Sequence, residues 1–453
     1  MSNIYLVSLG CDKNRVDGET MIGTLRKVGY SVVNDPADSQ VIIVNTCGFI
    51  KDAVQESIDL ILELAEYKTS GNCRGLVVVG CMAQRYKTEI LESIPEVDIL
   101  VGVGEYENIA NVVEGLIGAP TGTGQANDNN MARIAARADD IAPHIAYIKI
   151  AEGCDNHCTY CTIPSIRGPY KSQPMEYILE ESRQLVSAGA KELVLVAQDT
   201  TLYGTDIYGE KKLPELLRKL AQTSGALWIR LMYAYPEHIT EELINTMAEL
   251  PQVCKYIDMP IQHSENKILH SMGRGGCKQP DDSLDFNRSR LIKIIAQLRE
   301  KMPDIAIRTT LIVGFPGETS MLFDNMRCFV QRMEFDRLGV FPYSMEEGTP
   351  AAKMDKQVTE RTKFKRMEVI MNAQQKIHFE KQRSLVGRVL PVMVDSYSQE
   401  ESEYTGRTQW DAYEVDSVVT FSSEEELVQG NIYPVKILGA DQYDIRGQHE
   451  PTK

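Results

Sequence analysis

Three cysteines fall close together in the stretch Ala151–Cys161, with the spacing C-x3-C-x2-C. A structural zinc ion normally has four protein ligands and a disulfide joins two cysteines, so a trio leaves one metal position open. Iron–sulfur clusters are the metal centres that gather thiolates at such short intervals, because one loop can reach three corners of a cubane. The spacing of Cys154, Cys158 and Cys161 therefore predicts an iron–sulfur site with one iron free to bind a ligand from outside.

The same stretch has an aromatic residue, Tyr160, directly before its last cysteine. In this respect it resembles the signature of the radical S-adenosylmethionine (AdoMet) enzymes. The resemblance implies that the open iron chelates AdoMet and that an electron from the cluster cleaves it to a 5′-deoxyadenosyl radical, so that the three cysteines are catalytic. The alternative is a zinc site that borrows a fourth ligand such as His157, although no second C-x-x-C lies nearby to complete it.

Three further cysteines are far apart in the sequence but equivalent in position. Near the amino terminus, apolar strand-like runs alternate with amphipathic segments, which predicts repeated βα units in a flavodoxin-like parallel sheet. Cys11, Cys47 and Cys81 each follow the carboxyl end of a predicted strand. Ligands of open α/β sheets bind outside those ends, so we expect the three thiols to meet, although a single such cysteine is more often a small buried hydrophobe. The remaining cysteines lack this context and are predicted to be structural or incidental: Cys73, Cys254, Cys277 and Cys328.

The central part of the chain alternates predicted strands and helices. Six strands with helical crossovers, and no G-x-G-x-x-G turn, favour a partial (β/α)6 barrel whose chemistry lies at the carboxyl ends of its strands. Polar and glycine residues near those ends suit the groups of AdoMet. For Arg230 and Arg308 the alternative partner is an internal carboxylate such as Asp199, and for Gly314 the alternative is a simple strand-to-helix turn. The candidate AdoMet contacts are Tyr160, Gln198, Gln262, Arg308 and Gly314.

The length, composition and net charge limit which class of protein this chain can belong to. The 453 residues amount to about three typical domains, and 43% hydrophobic with 25% charged residues fits a globular protein. No apolar run reaches the roughly 18 residues of a membrane helix, so we expect a cytoplasmic protein without a membrane partner. The net charge of −16 disfavours direct nucleic-acid binding. The predicted organisation is an N-terminal domain over 1–120, a linker over 121–142, the barrel over 143–357, a connecting helix over 358–384 and a small β-barrel over 385–453.

The C-terminal region changes to short alternating runs separated by Gly, Ser and Asp. This pattern predicts five strands in a small barrel similar to an oligonucleotide-binding fold. Residues 385–453 contain 13 Asp and Glu against 5 Lys and Arg, a net charge of −8. Barrels of this kind carry basic surfaces when they bind nucleic acid, so the acidic composition favours a basic partner instead.

The cysteine pattern and four short motifs resemble the methylthiotransferase family over nearly the whole chain. The motifs are Ser8–Asn14, Asn45–Ile50, Ala197–Thr200 and Val340–Thr349. The resemblance implies two 4Fe-4S clusters with different roles and a TRAM-like C-terminal barrel. It assigns the radical-forming cluster to Cys154, Cys158 and Cys161, and a sulfur-supplying cluster to Cys11, Cys47 and Cys81.

Within that family the motifs look most similar to the branch that modifies a ribosomal protein. The resemblance implies a β-methylthio group on one aspartate of small-subunit ribosomal protein S-twelve, with one AdoMet as methyl source and another as radical source. It also implies an electron donor of the flavodoxin or ferredoxin type and a sulfur donor. Two alternatives remain open: a tRNA adenosine methylthiotransferase, which should have a basic terminal barrel, and a non-enzymatic metal-binding adaptor, which should not cleave AdoMet.

Overall fold

The computed structural model describes residues 2–119, 143–274 and 286–451. The predicted linker over 121–142 and Cys277 lie outside these residues. Within the described ranges, no helix combines the length and the apolar character that crossing a membrane requires.

The N-terminal region is a five-stranded parallel sheet with the order β2-β1-β3-β4-β5. This is the flavodoxin order, so the predicted fold class is confirmed. The strands are β1 (Asn3–Ser8), β2 (Ser31–Val33), β3 (Val41–Thr46), β4 (Gly75–Gly80) and β5 (Ile99–Val101). The helices are α1 (Asp12–Lys27), α2 (Lys51–Ala65), α3 (Tyr67–Ser70), α4 (Cys81–Arg85), α5 (Lys87–Ser93) and α6 (Ile109–Ile117).

The central strands of this sheet are buried on both faces. Every residue of β3 and β4 is buried, because helices cover the sheet on both sides, and this explains the continuous apolar runs over 41–44 and 76–79. β2 and β5 were not predicted from the sequence, because they have three residues each and are too short to give a periodic signal.

The central region is a curved sheet of six parallel strands. Two three-stranded pieces meet between β10 and β11, where the Cys254 amide donates to the Ile229 carbonyl at 3.0 Å. This arrangement confirms the predicted (β/α)6 barrel. Its strands are β6 (Ile145–Lys149), β9 (Glu192–Val196), β10 (Trp228–Leu231), β11 (Tyr256–Asp258), β12 (Ala306–Val313) and β13 (Arg337–Pro342), with a small hairpin of β7 (Ala151–Glu152) and β8 (Lys171–Ser172). The helices are α7 (Ile163–Arg167), α8 (Met175–Ser187), α9 (Leu213–Thr223), α10 (Glu241–Glu249), α11 (Asn266–Ser271), α12 (Phe286–Lys301), α13 (Ser320–Met333) and α14 (Glu360–Arg383).

The two faces of the barrel sheet pack against different parts of the chain. Ile148 and Leu193 belong to the cluster under the outer helices. Their neighbours Tyr147 and Val194 point the opposite way, as successive strand residues must, into a second cluster that contains Val16 of α1. Met393 and Ala412 of the C-terminal region complete this second cluster. The concave side of the barrel is therefore filled by the N-terminal helix α1 and by the C-terminal barrel.

The C-terminal region is a closed five-stranded barrel with the order β14-β15-β16-β18-β17. Its strands are β14 (Val389–Ser398), β15 (Glu403–Arg407), β16 (Val419–Ser422), β17 (Ile432–Ala440) and β18 (Ile445–His449). The sequence predicts the third strand over Tyr413–Val419, and this position is wrong. Asp411 pairs with Arg337 and Asp416 accepts a hydrogen bond from Tyr256 at 2.7 Å, so the segment before Val419 forms turns against the central barrel instead.

Candidate cluster and AdoMet site

The loop of Cys154, Cys158 and Cys161 lies at the carboxyl end of β6, between β7 and α7. Gly153 precedes the loop with a φ of +71°, and a Cβ there would come within 2.0 Å of the Pro169 carbonyl oxygen. Only glycine allows this close approach. The loop is held from both sides: the Cys154 amide donates to Gly168 O at 3.1 Å, and the Thr159 amide donates to Met272 O at 2.9 Å.

The environment of these thiols fits an iron–sulfur ligand set. Burial raises the pKa of Cys154 to about 11 and the pKa of Cys161 to about 12, so a metal cation is needed to replace the protons. The Cys158 sulfur lies 3.1 Å from the Tyr235 hydroxyl, and the Arg274 guanidinium lies over the Tyr235 ring at 3.7 Å. His157, the alternative zinc ligand, is exposed.

The second trio lies at the carboxyl edge of the flavodoxin-like sheet. Cys11 precedes α1, Cys47 follows β3, and Cys81 begins α4 directly after β4. A Cβ on Gly10 would come within 2.8 Å of the Cys47 Cβ, so the first two loops are in contact. Burial raises the pKa of Cys47 and raises that of Cys81 to about 11. The backbone places the three cysteines at one edge of the sheet, as the sequence predicts. Their role as metal ligands stays a prediction.

Arg167 connects the two trios. It lies at the end of α7, the helix that follows Cys161, and α7 packs against α4, which begins with Cys81. Its guanidinium donates to Asn14 Oδ1 at 2.5 Å and pairs with Glu152 at 2.8 Å. The two cysteine sites therefore lie on facing edges of neighbouring domains, with this arginine between them.

No three His, Cys, Asp or Glu side chains in the described part of the chain converge on the position of one metal ion. In a cubane each cysteine binds a separate iron atom. The three cysteines of a cluster site therefore need not converge on one point.

Two of the candidate AdoMet contacts have unusual backbone geometry. Gln262 has a φ of +67°, and its side-chain Oε1 is buried without a hydrogen-bond partner among the described residues. A buried acceptor without a donor is costly, and a bound ligand would satisfy it. Gly314 has a φ of +72°, its amide donates to Glu318 Oε2 at 3.0 Å, and a Cβ would come within 2.4 Å of the Lys363 side chain. The turn alone therefore requires a glycine at position 314.

The other three candidates differ in their surroundings. Tyr160 is half-buried and packs against the cluster of Met272 and Phe315, and Gln198 is half-buried just after β9. Arg308 instead pairs with Asp258 at 2.8 Å and lies 3.6 Å from Asp416 of the C-terminal barrel.

The two strand arginines pair with internal carboxylates, which confirms the alternative to an AdoMet contact. Arg230 pairs with Glu192 at 2.5 Å, while Arg308 pairs with Asp258. Asp199, suggested as a partner of these arginines, does not pair with them. Its carboxylate accepts a hydrogen bond from Asn156 and lies 2.8 Å from the His238 ring nitrogen.

Sequence reasoning missed the functional candidates that follow β10. Tyr233 and Tyr235 lie just beyond the carboxyl end of this strand, and Tyr233 has a φ of +57°. Its ring lies under the ammonium of Lys13, at 3.1 Å from the ring centroid. Their position in the sequence could have indicated them, because tyrosines that directly follow a barrel strand lie at the end of the barrel where its chemistry occurs.

Three family models match the chain: Uncharacterized protein family UPF0004 over residues 3–102, the radical SAM superfamily over 148–326 and the TRAM domain over 386–449. Among solved structures, the radical S-adenosylmethionine methyltransferase TsrM from Kitasatospora setae, with cobalamin and a 4Fe-4S cluster bound, superposes with a TM-score of 0.55. It is 14% identical and covers 78% of this chain and 77% of its own, which indicates a shared fold. The fold and the cysteine loop define a protein of the radical SAM class.

Curated relatives narrow the class. The protein of Lachnoclostridium phytofermentans named ribosomal protein uS12 methylthiotransferase RimO is 46% identical over 99% of this chain and 100% of its own length. Proteins of the same name from Desulforamulus reducens and Geobacter sulfurreducens are 44% and 45% identical, with 98–99% of each chain covered. The chain belongs to the RimO family.

Proposed function

We propose that this chain is a methylthiotransferase that adds a β-methylthio group to an aspartate of ribosomal protein S-twelve by radical AdoMet chemistry. The observation that carries the proposal is similarity over nearly the whole length, at 43–46% identity, to eight relatives that bear one functional name. The cysteine sites on facing domain edges support it, because sulfur insertion needs a radical source and a sulfur source close together.

The proposal includes two 4Fe-4S clusters. Cys154, Cys158 and Cys161 would hold one at the barrel, and Cys11, Cys47 and Cys81 would hold the other at the sheet edge. When bound, the clusters and AdoMet supply the radical and the sulfur. The three sulfurs of each set are soft donors of the type that iron–sulfur clusters use, and the raised thiol pKa values in both sets mean that iron must displace protons.

For AdoMet we propose contacts from Tyr160, Gln198, Gln262 and the backbone at Gly314. The unpartnered Gln262 Oε1 supports this assignment most directly. Because the Arg308 guanidinium is occupied by Asp258 and Asp416, the proposed AdoMet site does not include it. The Arg167 guanidinium positions both cysteine loops, since it contacts Asn14 beside one trio and Glu152 beside the other.

The partner should be basic. Glu400, Glu401 and Glu403 are exposed at the turn between β14 and β15, and Glu424–Glu426 form a second exposed acidic group on the same barrel. An acidic surface attracts a Lys-rich and Arg-rich ribosomal protein and repels an RNA backbone. An external electron donor of the flavodoxin or ferredoxin type and a sulfur donor complete the set of proposed partners, and the proposed location is the cytoplasm.

The test is anaerobic reconstitution followed by separate reactions with ribosomal protein S-twelve and with tRNA, analysed by mass spectrometry. We expect a methylthio group on one aspartate of the protein and none on tRNA. Modification of tRNA alone would place the chain in the tRNA branch, and absence of AdoMet cleavage would favour a metal-binding adaptor. Iron should be about eight per chain and fall to about four in Cys47→Ala. About four irons in both proteins would contradict the second cluster.

A further inference from the structure

Lys13 is a buried cation beside the N-terminal cysteine site. It lies in the first turn of α1, two residues after Cys11, and is 3% exposed. In the part of the chain that the structure describes, its ammonium forms no ion pair or hydrogen bond and lies over the face of the Tyr233 ring. The two neighbouring cations are different, because Lys149 pairs with Asp17 at 2.5 Å and Arg167 pairs with Glu152 at 2.8 Å.

The nearby carboxylates accept hydrogen bonds from other groups. Asp12 accepts a hydrogen bond from the Tyr233 hydroxyl at 2.9 Å. Asp17 belongs to the pairs of Lys149 and Arg167. An ammonium that has left water needs a compensating charge, and the ring face supplies only part of it. Among the described residues, the buried Lys13 ammonium therefore has no carboxylate in ion-pair contact.

The backbone holds this arrangement in place. Tyr233 adopts a left-handed φ of +57°, which is rare for a bulky residue and costs free energy. Its amide donates to Asp258 Oδ2 at 3.1 Å, and Asp258 in turn pairs with Arg308. Strain of this kind persists where the surroundings require it, and here it places the ring under Lys13 at the carboxyl end of the barrel.

We propose that Lys13 binds the side-chain carboxylate of the substrate aspartate and thereby selects an anionic protein side chain over an uncharged nucleobase. The inference rests on the proposed function and deepens it. A carboxylate at this ammonium would lie beside Cys11, at the carboxyl end of the barrel strands. The aspartate would thus be held between the two cysteine sites. The simpler alternative is that Lys13 only balances the charge of a cluster bound by the N-terminal cysteines.

The test is a double-mutant cycle on substrate binding, which is independent of turnover. The holoenzyme, without reductant, is titrated with ribosomal protein S-twelve and with a form in which the modified aspartate is Asn. Enzyme variants are Lys13→Met, the charge-retaining Lys13→Arg, and Lys87→Met as a matched control at an exposed position of the same domain. We expect wild type and Lys87→Met to bind the Asp form about 10- to 100-fold tighter than the Asn form.

Lys13→Met should bind both forms with the weaker affinity of the Asn form, and Lys13→Arg should retain part of the difference. Iron content and substrate-independent 5′-deoxyadenosine formation should stay near wild type in both variants. Retention of the full Asp-over-Asn preference by Lys13→Met would overturn the inference, and if iron were lost at the same time, Lys13 would be the counter-charge of the cluster. If wild-type enzyme failed to modify the ribosomal protein at all, the proposed function itself would fail.

Discussion

The two ends of the central barrel both bury charged side chains, but those at one end form an ion-pair network, whereas a lysine at the other end has no ion-pair partner among the described residues. At the amino ends of the strands, Glu192 lies between Arg230 at 2.5 Å and Arg407 at 2.9 Å. Arg407 also pairs with Asp395 at 2.7 Å, and the Asp395 carboxylate lies 2.8 Å from His144 Nε2. Both of these buried carboxylates have a cationic or imidazole partner, and the C-terminal barrel supplies two of the five residues of the network, Asp395 and Arg407.

The carboxyl end contains groups that the protein leaves unsatisfied. Among the described residues, Lys13 has no ion-pair partner and Gln262 Oε1 has no hydrogen bond. Tyr233 and Gln262 both have positive φ values there. Paired buried charges are costly to break and fix how domains meet, whereas an unpaired buried cation beside strained backbone marks a place where a ligand binds. The comparison assigns domain attachment to one end and chemistry to the other.

The largest expected effects are at the carboxyl end. Cys158→Ala should abolish reductive cleavage of AdoMet, because the radical-forming cluster would lose a ligand. Cys81→Ala should retain part of the 5′-deoxyadenosine formation but stop sulfur insertion, because only the N-terminal site is changed. Chromatographic assay of 5′-deoxyadenosine with mass analysis of the substrate separates the two activities. Methylthiolation at the wild-type rate by the Cys81 variant would disprove this division of roles.

The amino end should respond in stability. Arg407→Met leaves Glu192 and Asp395 buried with fewer cationic partners, and we expect a loss of about 3–5 kcal/mol in the free energy of unfolding. Both tryptophans, Trp228 and Trp410, pack in the cluster at this end, so their fluorescence during urea unfolding reports the change.

Lys436→Met, on an exposed position of β17, is the matched control for this variant and should change stability by less than about 0.5 kcal/mol. Equal stability of Arg407→Met and wild type would mean that the network does not attach the C-terminal barrel.

Acid should weaken the same end. Burial alone would raise the pKa of Asp395, but the hydrogen bond from His144 and the charge of Arg407 bring this pKa below its usual value. Arg230 and Arg407 likewise overcome burial and lower the pKa of Glu192. A group with a lowered pKa stabilises the fold above its unfolded value of about 4, and this stabilisation is lost as the pH falls through the folded pKa.

Wild-type stability should therefore decrease steeply below about pH 4, and that of Arg407→Met less steeply. Fluorescence-detected melting at a series of pH values measures both slopes. Parallel slopes would argue against the pairing.

The smallest effect concerns a surface outside both ends. Reversal of Glu400, Glu401 and Glu403 to Lys should weaken capture of the ribosomal protein without changing iron content. The attraction should also weaken with salt, since the Debye length falls from about 10 Å at 0.1 M to about 3 Å at 1 M. Affinity measured for wild type and variant at two ionic strengths gives the result. Tighter binding of tRNA than of the ribosomal protein by wild type would contradict a basic protein partner.

Much of the site and of the fold could be predicted from local sequence patterns. The barrel trio is contiguous, so its spacing alone predicts one loop that binds metal. Cys11, Cys47 and Cys81 were found through topology, because parallel strands present their carboxyl ends at one edge. Strand and helix types followed mainly from periodicity, and the misses include β2 and β5, whose three residues are too few to show a period.

Tertiary structure alone decided which charges pair. Composition and periodicity place Glu192, Arg230 and Arg407 on strands but contain no information on their mutual distance, which depends on how the C-terminal barrel docks. The same docking turns the segment before Val419 against the central barrel and displaces the predicted third strand. The orientation of Lys13 toward Tyr233 likewise depends on α1 entering the concave side of the barrel. Contacts between segments distant in sequence are set by domain packing, which no local pattern encodes.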